Sequence, residues 1–183
     1  MIFDKPGADN TQRTVELAVQ RARELGIKHI VAASYRGFVA EALLPYAKEF
    51  DIAIVGQVYG FGKGGPNPMT PETRAKLESA GMKVLFTTHV LSGAERGLST
   101  RFNGVYPVEI IAHTLRMLGQ GTKVSVEVAT MAFDAGLVPE ETDIIALAGT
   151  GQGSDTALVM RPAHAQKIME TKIHEVICKP RLG

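Results

Sequence analysis

Ser34-Tyr35-Arg36-Gly37-Phe38 follows a short apolar run, His29 to Ala33, and precedes a stretch with helical spacing. Such a turn presents the unpaired N–H groups and partial positive charge of a helix start, which favours a phosphate. Ser34 adds a hydroxyl, Arg36 a charge and Gly37 room for close approach. An ordinary serine-capped turn reads the same way, and spacing alone leaves both open. A second stretch, Gly149-Thr150-Gly151-Gln152-Gly153-Ser154-Asp155-Thr156, sets three alternate glycines where a ligand can approach the backbone. A dinucleotide fingerprint must open a helix, whereas Ala157 to Met160 reads as a strand, so that motif is rejected. Asp155 and Thr156 either contact ligand hydroxyls or brace the turn, and a plain glycine-rich hairpin is the alternative.

Two further loops carry rings and a titratable group. Gln57, Tyr59 and Phe61 precede the glycine-rich Gly62-Lys63-Gly64-Gly65, which lacks Walker spacing and suits a lid or a wall stacked on a planar ring. Thr88 and His89 end a third apolar run, and His89 could act as acid or base because an unperturbed imidazole titrates near neutrality. A capped structural histidine fits equally. Glu127 and Asp134, seven apart, share a helix face as paired carboxylates or as two separate ion pairs. His89 and Glu127 are the weak catalytic candidates. The other histidines show no ligand spacing, so no metal site is expected, and no Gly-x-Ser-x-Gly nucleophile elbow occurs.

The bulk properties exclude several function classes. The 183 residues are 45% hydrophobic and 21% charged with a net charge of +1, which fits one globular domain over 1–183. No basic run supplies the footprint of a nucleic-acid or membrane-surface binder. Cys178, the single cysteine, lies in an apolar run and reads as core; a cytoplasmic location is expected. No 18-residue apolar run occurs.

The elements that must position these residues alternate. Ile2-Phe3 reads as an edge strand. A helix capped by Asp9, Asn10 or Thr11 ends at Gly26, with Val15, Ala18, Val19, Ala22 and Leu25 on one face. Gly37 to Phe50 reads as a helix divided at Pro45, and Thr70-Pro71-Glu72 as a helix start. Strands are expected at 29–33, 52–55, 83–88, 143–148 and 157–160, with a further one at 175–178. Residues 89–106 read as a long polar loop. Pro107 opens a helix with Ile110, Ile111, Leu115 and Leu118 inward, and 123–135 is assigned to a helix although it also alternates like a strand. Strands apolar on both faces, interleaved with helices, imply a mostly parallel sheet covered on both sides. Ligands of such sheets sit beyond the carboxyl ends of the strands, where 34–37, 56–70, 89–106 and 149–155 all fall.

The chain resembles the C-terminal α/β domain of pyruvate kinase. The resemblance rests on Asn10-Thr11 through Gly37-Phe38-Val39-Ala40, on Asp143-Ile144-Ile145-Ala146-Leu147-Ala148-Gly149, and on Gly151-x-Gly153-x-x-Thr156. It is similar also to stand-alone prokaryotic relatives of that domain through His89-x-Leu91-Ser92-Gly93-x-Glu95-Arg96, Arg161-Pro162-Ala163-His164 and Ile177-Cys178-x-Pro180-Arg181. The resemblance implies a three-layer α/β/α sandwich, mostly parallel, with an antiparallel strand near the C-terminus. It implies that Ser34, Arg36, Gly37 and Phe38 hold a phosphate and that Gly151 to Thr156 face the ligand. The relatives look like binders of flavin mononucleotide (FMN), with the ring toward 56–61 and 88–92. The expected function is therefore binding of a small phosphate-bearing flavin or nucleotide. An FMN-dependent oxidoreductase and a regulatory module for a phosphorylated metabolite are the alternatives, and a homo-oligomer is left open. Pyruvate kinase activity is not expected, because the catalytic barrel has no counterpart in these residues.

Overall fold

The computed structural model describes residues 1–61 and 65–182, so Gly62, Lys63 and Gly64 of the expected lid lie outside the described residues. Seven strands form one sheet: β1 (Ile2–Phe3), β2 (His29–Ala33), β3 (Asp51–Val55), β4 (Lys83–Leu85), β5 (Ile144–Ala148), β6 (Thr156–Arg161) and β7 (Lys172–Pro180). Their spatial order is β1-β7-β6-β5-β2-β3-β4. β2 pairs in parallel with β3 and β5, β3 with β4, and β1 with β7. Only β6 runs against its neighbours, β5 and β7. The mostly parallel sheet with one reversed strand near the C-terminus is the architecture expected from the sequence.

The strand period of two divides the core. Ile30, Ala32, Ile52, Ile54, Ile145 and Leu147 face α1 (Thr11–Leu25), α2 (Phe38–Leu43) and α3 (Pro71–Ser79). Val31, Ala53, Val55, Ala146, Leu158 and Met160 face α6 (Gln120–Asp134). α5 (Pro107–Arg116) packs on α6 rather than on the sheet, and α4 (Ala94–Phe102) packs on α5. Helix stops follow the local chemistry. Gly26 closes α1 in the left-handed region, Thr70 Oγ1 accepts the Thr73 N–H at 3.2 Å to cap α3, and Pro45 divides α2 from a 3-10 turn at Leu44–Tyr46.

The largest correction is α4, which occupies nine residues of the expected loop 89–106. Its single buried residue is a serine, Ser99, so no apolar stripe marks it in the sequence. Ile110 and Leu118, expected inward, are 59% and 45% exposed, because α5 covers α6 with only part of one face. β4 stops at Leu85 rather than Thr88, and β7 begins at Lys172, before Glu175. Among the described residues no helix is long and apolar enough to cross a membrane.

Asp155 ties the glycine loop to the N-terminal segment. Its Oδ2 accepts the N–H groups of Gly7 at 2.9 Å and Thr150 at 3.2 Å, and its Oδ1 accepts the Thr156 hydroxyl at 2.8 Å. Gly153 has φ 92°, and a Cβ there would lie 2.5 Å from Ala8 Cα, so glycine is required for this close approach. On the opposite end of the sheet, His164 stacks on Phe133 with ring centroids 4.1 Å apart. Its Nδ1 meets Asp134 at 2.7 Å and its Nε2 meets Glu140 at 3.1 Å.

Two outcomes are expected. Asp155→Ala strands three donors and should lower unfolding stability in urea by about 2–4 kcal/mol, whereas a loss under about 1 kcal/mol would mean the loop is braced elsewhere. The hydrogen bond to Asp134, then that to Glu140, holds the His164 imidazole above its usual range. Its stabilising effect is therefore complete below about pH 6.5 and fades as pH rises through the folded-state value. Urea midpoints should show His164→Ala costing more at about pH 5.5 than at about pH 8.5; a pH-independent cost would contradict the paired imidazolium.

Candidate functional site

A cavity of about 490 Å³ opens at the carboxyl ends of the parallel strands. Its floor is Ala33 and Val55 at the ends of β2 and β3. Loops after β2, β3, β4 and β5 form the rim, and α5 and α6 close one side. The volume falls within the range of small-molecule sites, and the strand-end position is where such sheets hold ligands.

The turn after β2 is fixed from within. Ser34 is 3% exposed, and its Oγ accepts the Ala40 N–H of α2 at 3.2 Å. Gly37 sits at φ 101°, where a Cβ would lie 2.5 Å from Thr73 Cγ2 on α3. Gly37 thus serves the turn and the contact with α3. The Arg36 guanidinium lies 5.4 Å from the centroid of the Tyr35 ring. After β3, the Gln57 carbonyl accepts from Asn67 Nδ2 at 2.7 Å, while its own Nε2 is buried without a partner.

Three ionisable groups from α6 and the loop after β4 meet in the cavity. Glu127 Oε1 accepts the Leu91 N–H at 2.9 Å and the Ser92 hydroxyl at 3.1 Å, and its Oε2 accepts from the Lys123 ammonium one turn earlier. Burial pushes the Lys123 ammonium below the usual lysine range, against the attraction of Glu127. Burial likewise pushes His89 down; Glu127 opposes this and Lys123 reinforces it. The Val58 N–H donates to His89 Nε2 at 3.4 Å, an acceptor that only the neutral ring offers. Phe61 lies over the same imidazole with centroids 5.5 Å apart.

On α5, Glu109 is 8% exposed and accepts from Ser99 Oγ at 2.6 Å, Arg96 Nη1 at 3.2 Å and the Tyr106 N–H at 3.4 Å. The Ser99 bond leads in holding its carboxyl below the usual range. Arg116, the last residue of α5, donates through Nε to Gln120 Oε1 at 2.8 Å. Among the described residues it has no carboxylate partner.

Of the residues singled out in the sequence, Ser34, Tyr35, Gln57, Phe61, His89, Gly149, Gly151, Gly153 and Glu127 line this cavity. Tyr59 and Thr88 line an adjoining one shared through Phe61 and His89. Arg36, Gly37 and Phe38 lie outside the lining, as do Asp155 and Thr156, whose side chains are buried in the brace of the glycine loop. Glu127 and Asp134 form separate ion pairs, with Lys123 and His164. Sequence reasoning missed Lys123, Arg116, Gln120, His113 and Arg96, all on helices that cover the site rather than on strand-end loops. Lys123 and Glu127 at i and i+4 in a helix with 12 of its 15 residues buried were the available signal.

The family model for the pyruvate kinase alpha/beta domain matches residues 12–160. A pyruvate kinase from Cryptosporidium parvum is similar at 17% identity over 85% of this chain and 23% of that chain, with a TM-score of 0.42. The Cryptosporidium parvum pyruvate kinase in complex with ADP matches at 18% identity over 92% of this chain and 24% of that chain, also with a TM-score of 0.42. The chain thus spans about a quarter of the length of these kinases. Since the family model covers most of the sequence and its first and last matched residues enclose every strand-end loop of the cavity, the chain belongs to the pyruvate kinase alpha/beta domain family.

Proposed function

We propose that this domain binds a phosphate-bearing flavin or nucleotide, FMN foremost, in the strand-end cavity. The observation that carries this reading is the division of the cavity wall. Rings and aliphatic groups, Phe61, His89 and Leu91, lie on the side of β3 and β4. Ser34, the open glycine Gly151 and the Arg116 guanidinium lie toward β2, β5 and α5. A planar ring with a phosphate tail has the same two-part character. The residues fit a flavin on a structural ground as well: the Gln57 Nε2 is a buried donor without an acceptor, which a ring carbonyl would supply.

In this reading Phe61 and His89 stack against the ring, and Ser34 and Tyr35 of the turn after β2 hold the phosphate with Arg116, opposite the glycine loop. When bound, the flavin would supply redox chemistry; the chain's own residues hold and orient it. Glu127 receives three donors, two of which hold the loop after β4 against the cavity.

FMN added to the purified chain should lose fluorescence saturably, and riboflavin, lacking the phosphate, should bind at least about tenfold more weakly, a difference of about 1.4 kcal/mol. Phe61 is exposed, so replacing it should leave the melting temperature unchanged. Arg116→Ala should narrow the FMN–riboflavin gap, and Phe61→Ala should weaken both ligands alike. Equal affinity for the two flavins removes the phosphate assignment, and no quenching by either removes the flavin reading.

A further inference from the structure

We infer that Lys123 is a nucleophilic amine that condenses with a small carbonyl acid, such as a 2-oxo acid, inside the strand-end cavity. Lys123 is 3% exposed yet lines the cavity. An ammonium carries three N–H donors, and among the described residues Lys123 has one acceptor, Glu127 Oε2. The cavity wall includes the apolar Val124, Val128 and Leu91. A desolvated, under-satisfied ammonium is destabilised relative to the neutral amine, and lysines so placed are the ones that form imines. Burial pushes this amine below its usual range, in keeping with the geometry.

The charged and titratable neighbours supply the rest. Glu127 on α6 keeps the Leu91 N–H and the Ser92 hydroxyl when Lys123 turns away, so the carboxylate stays in place. His89 faces the same space from the loop after β4. Arg116 on α5 has no carboxylate partner among the described residues and offers its guanidinium to the substrate carboxylate. In the condensation Glu127 takes one proton from the ammonium, and the freed amine attacks the carbonyl carbon. A C–N bond forms and the carbonyl oxygen becomes a hydroxyl with a second amine proton. Glu127 returns its proton to that hydroxyl, the C–O bond breaks, water leaves and a protonated imine remains. No oxidant or reductant is consumed.

The inference does not rest on the flavin reading, and the two can fail separately. Its test is reductive trapping on the intact chain with glyoxylate and cyanoborohydride at about pH 7, with peptide mass spectrometry of each lysine. The neutral amine is the reactive form and the cavity holds the carbonyl acid beside it, so Lys123 should label at least about tenfold faster than exposed Lys28 and Lys48. Lys123→Arg should remove the fast site. Arg116 also helps to push the Lys123 ammonium down, so Arg116→Ala should slow both aldehydes but lower the glyoxylate-to-acetaldehyde rate ratio about tenfold. Labelling of wild-type Lys123 no faster than Lys28 and Lys48 overturns the inference without any variant. An unchanged glyoxylate-to-acetaldehyde ratio in Arg116→Ala overturns the carboxylate assignment.

Discussion

The strand-end cavity of this domain depends on how irregular backbone is satisfied away from water. Loops that leave a parallel sheet lose their ladder partners, and a buried N–H without an acceptor is costly. The three buried acids among the described residues, Asp155, Glu127 and Glu109, each answer this need in one loop. Asp155 gathers Gly7, Thr150 and Thr156; Glu127 gathers Leu91 and Ser92; Glu109 gathers Ser99 and Tyr106. Hydrogen bonds to a carboxylate are stronger than neutral ones, so one side chain can fix several donors. The rim of the cavity is thus held by carboxylates seated on the core, and its shape does not require a ligand.

Asp155 has a further consequence for α6. A Cβ on Gly121 would lie 2.1 Å from Thr156 Oγ1 and 2.9 Å from Asp155 Oδ1, so the first turn of α6 presses directly on this brace. That seating sets the position of Gln120 and Lys123 in the cavity. The glycine loop, the N-terminal segment and the helix over the sheet therefore share one fixed point. Asp155 shapes the site through this contact, although its own side chain lies outside the lining.

Much of the fold was legible because its signals are local. β2, β3 and β5 are apolar on both faces, and Gly26, Thr70-Pro71 and Pro45 mark helix ends by backbone chemistry. α4 was not legible, because it buries one polar residue and is held by Glu109 and by the Glu95 contact to the Val108 N–H. The strand-end loops of the site were found by the architecture rule. Lys123, Arg116 and Gln120 were not, because periodicity says which face of a helix is buried but not whether sheet or cavity lies against it. Gly37 illustrates the reverse case. It looked like room for a ligand, and the structure gives it to α3.

The charge balance of the cavity follows from the same carboxylates. Arg96 is matched by Glu109 and Lys123 by Glu127, and among the described residues Arg116 is the lining's permanent charge without a carboxylate partner. A phosphate monoester brings roughly 1.5 to 2 negative charges, which one guanidinium does not balance. The ion pairs offer a reserve. At an effective dielectric of about 20, a contact pair is worth about 4 kcal/mol, so a cation is not released unless its partner stays satisfied. Here each partner does stay satisfied: Glu127 retains two donors without Lys123, and Glu109 retains Ser99 and Tyr106 without Arg96. Carboxylates with more donors than an ion pair requires stay satisfied when the cation turns away. The groups that hold the loops in place are therefore the same groups that set the charge balance of the cavity.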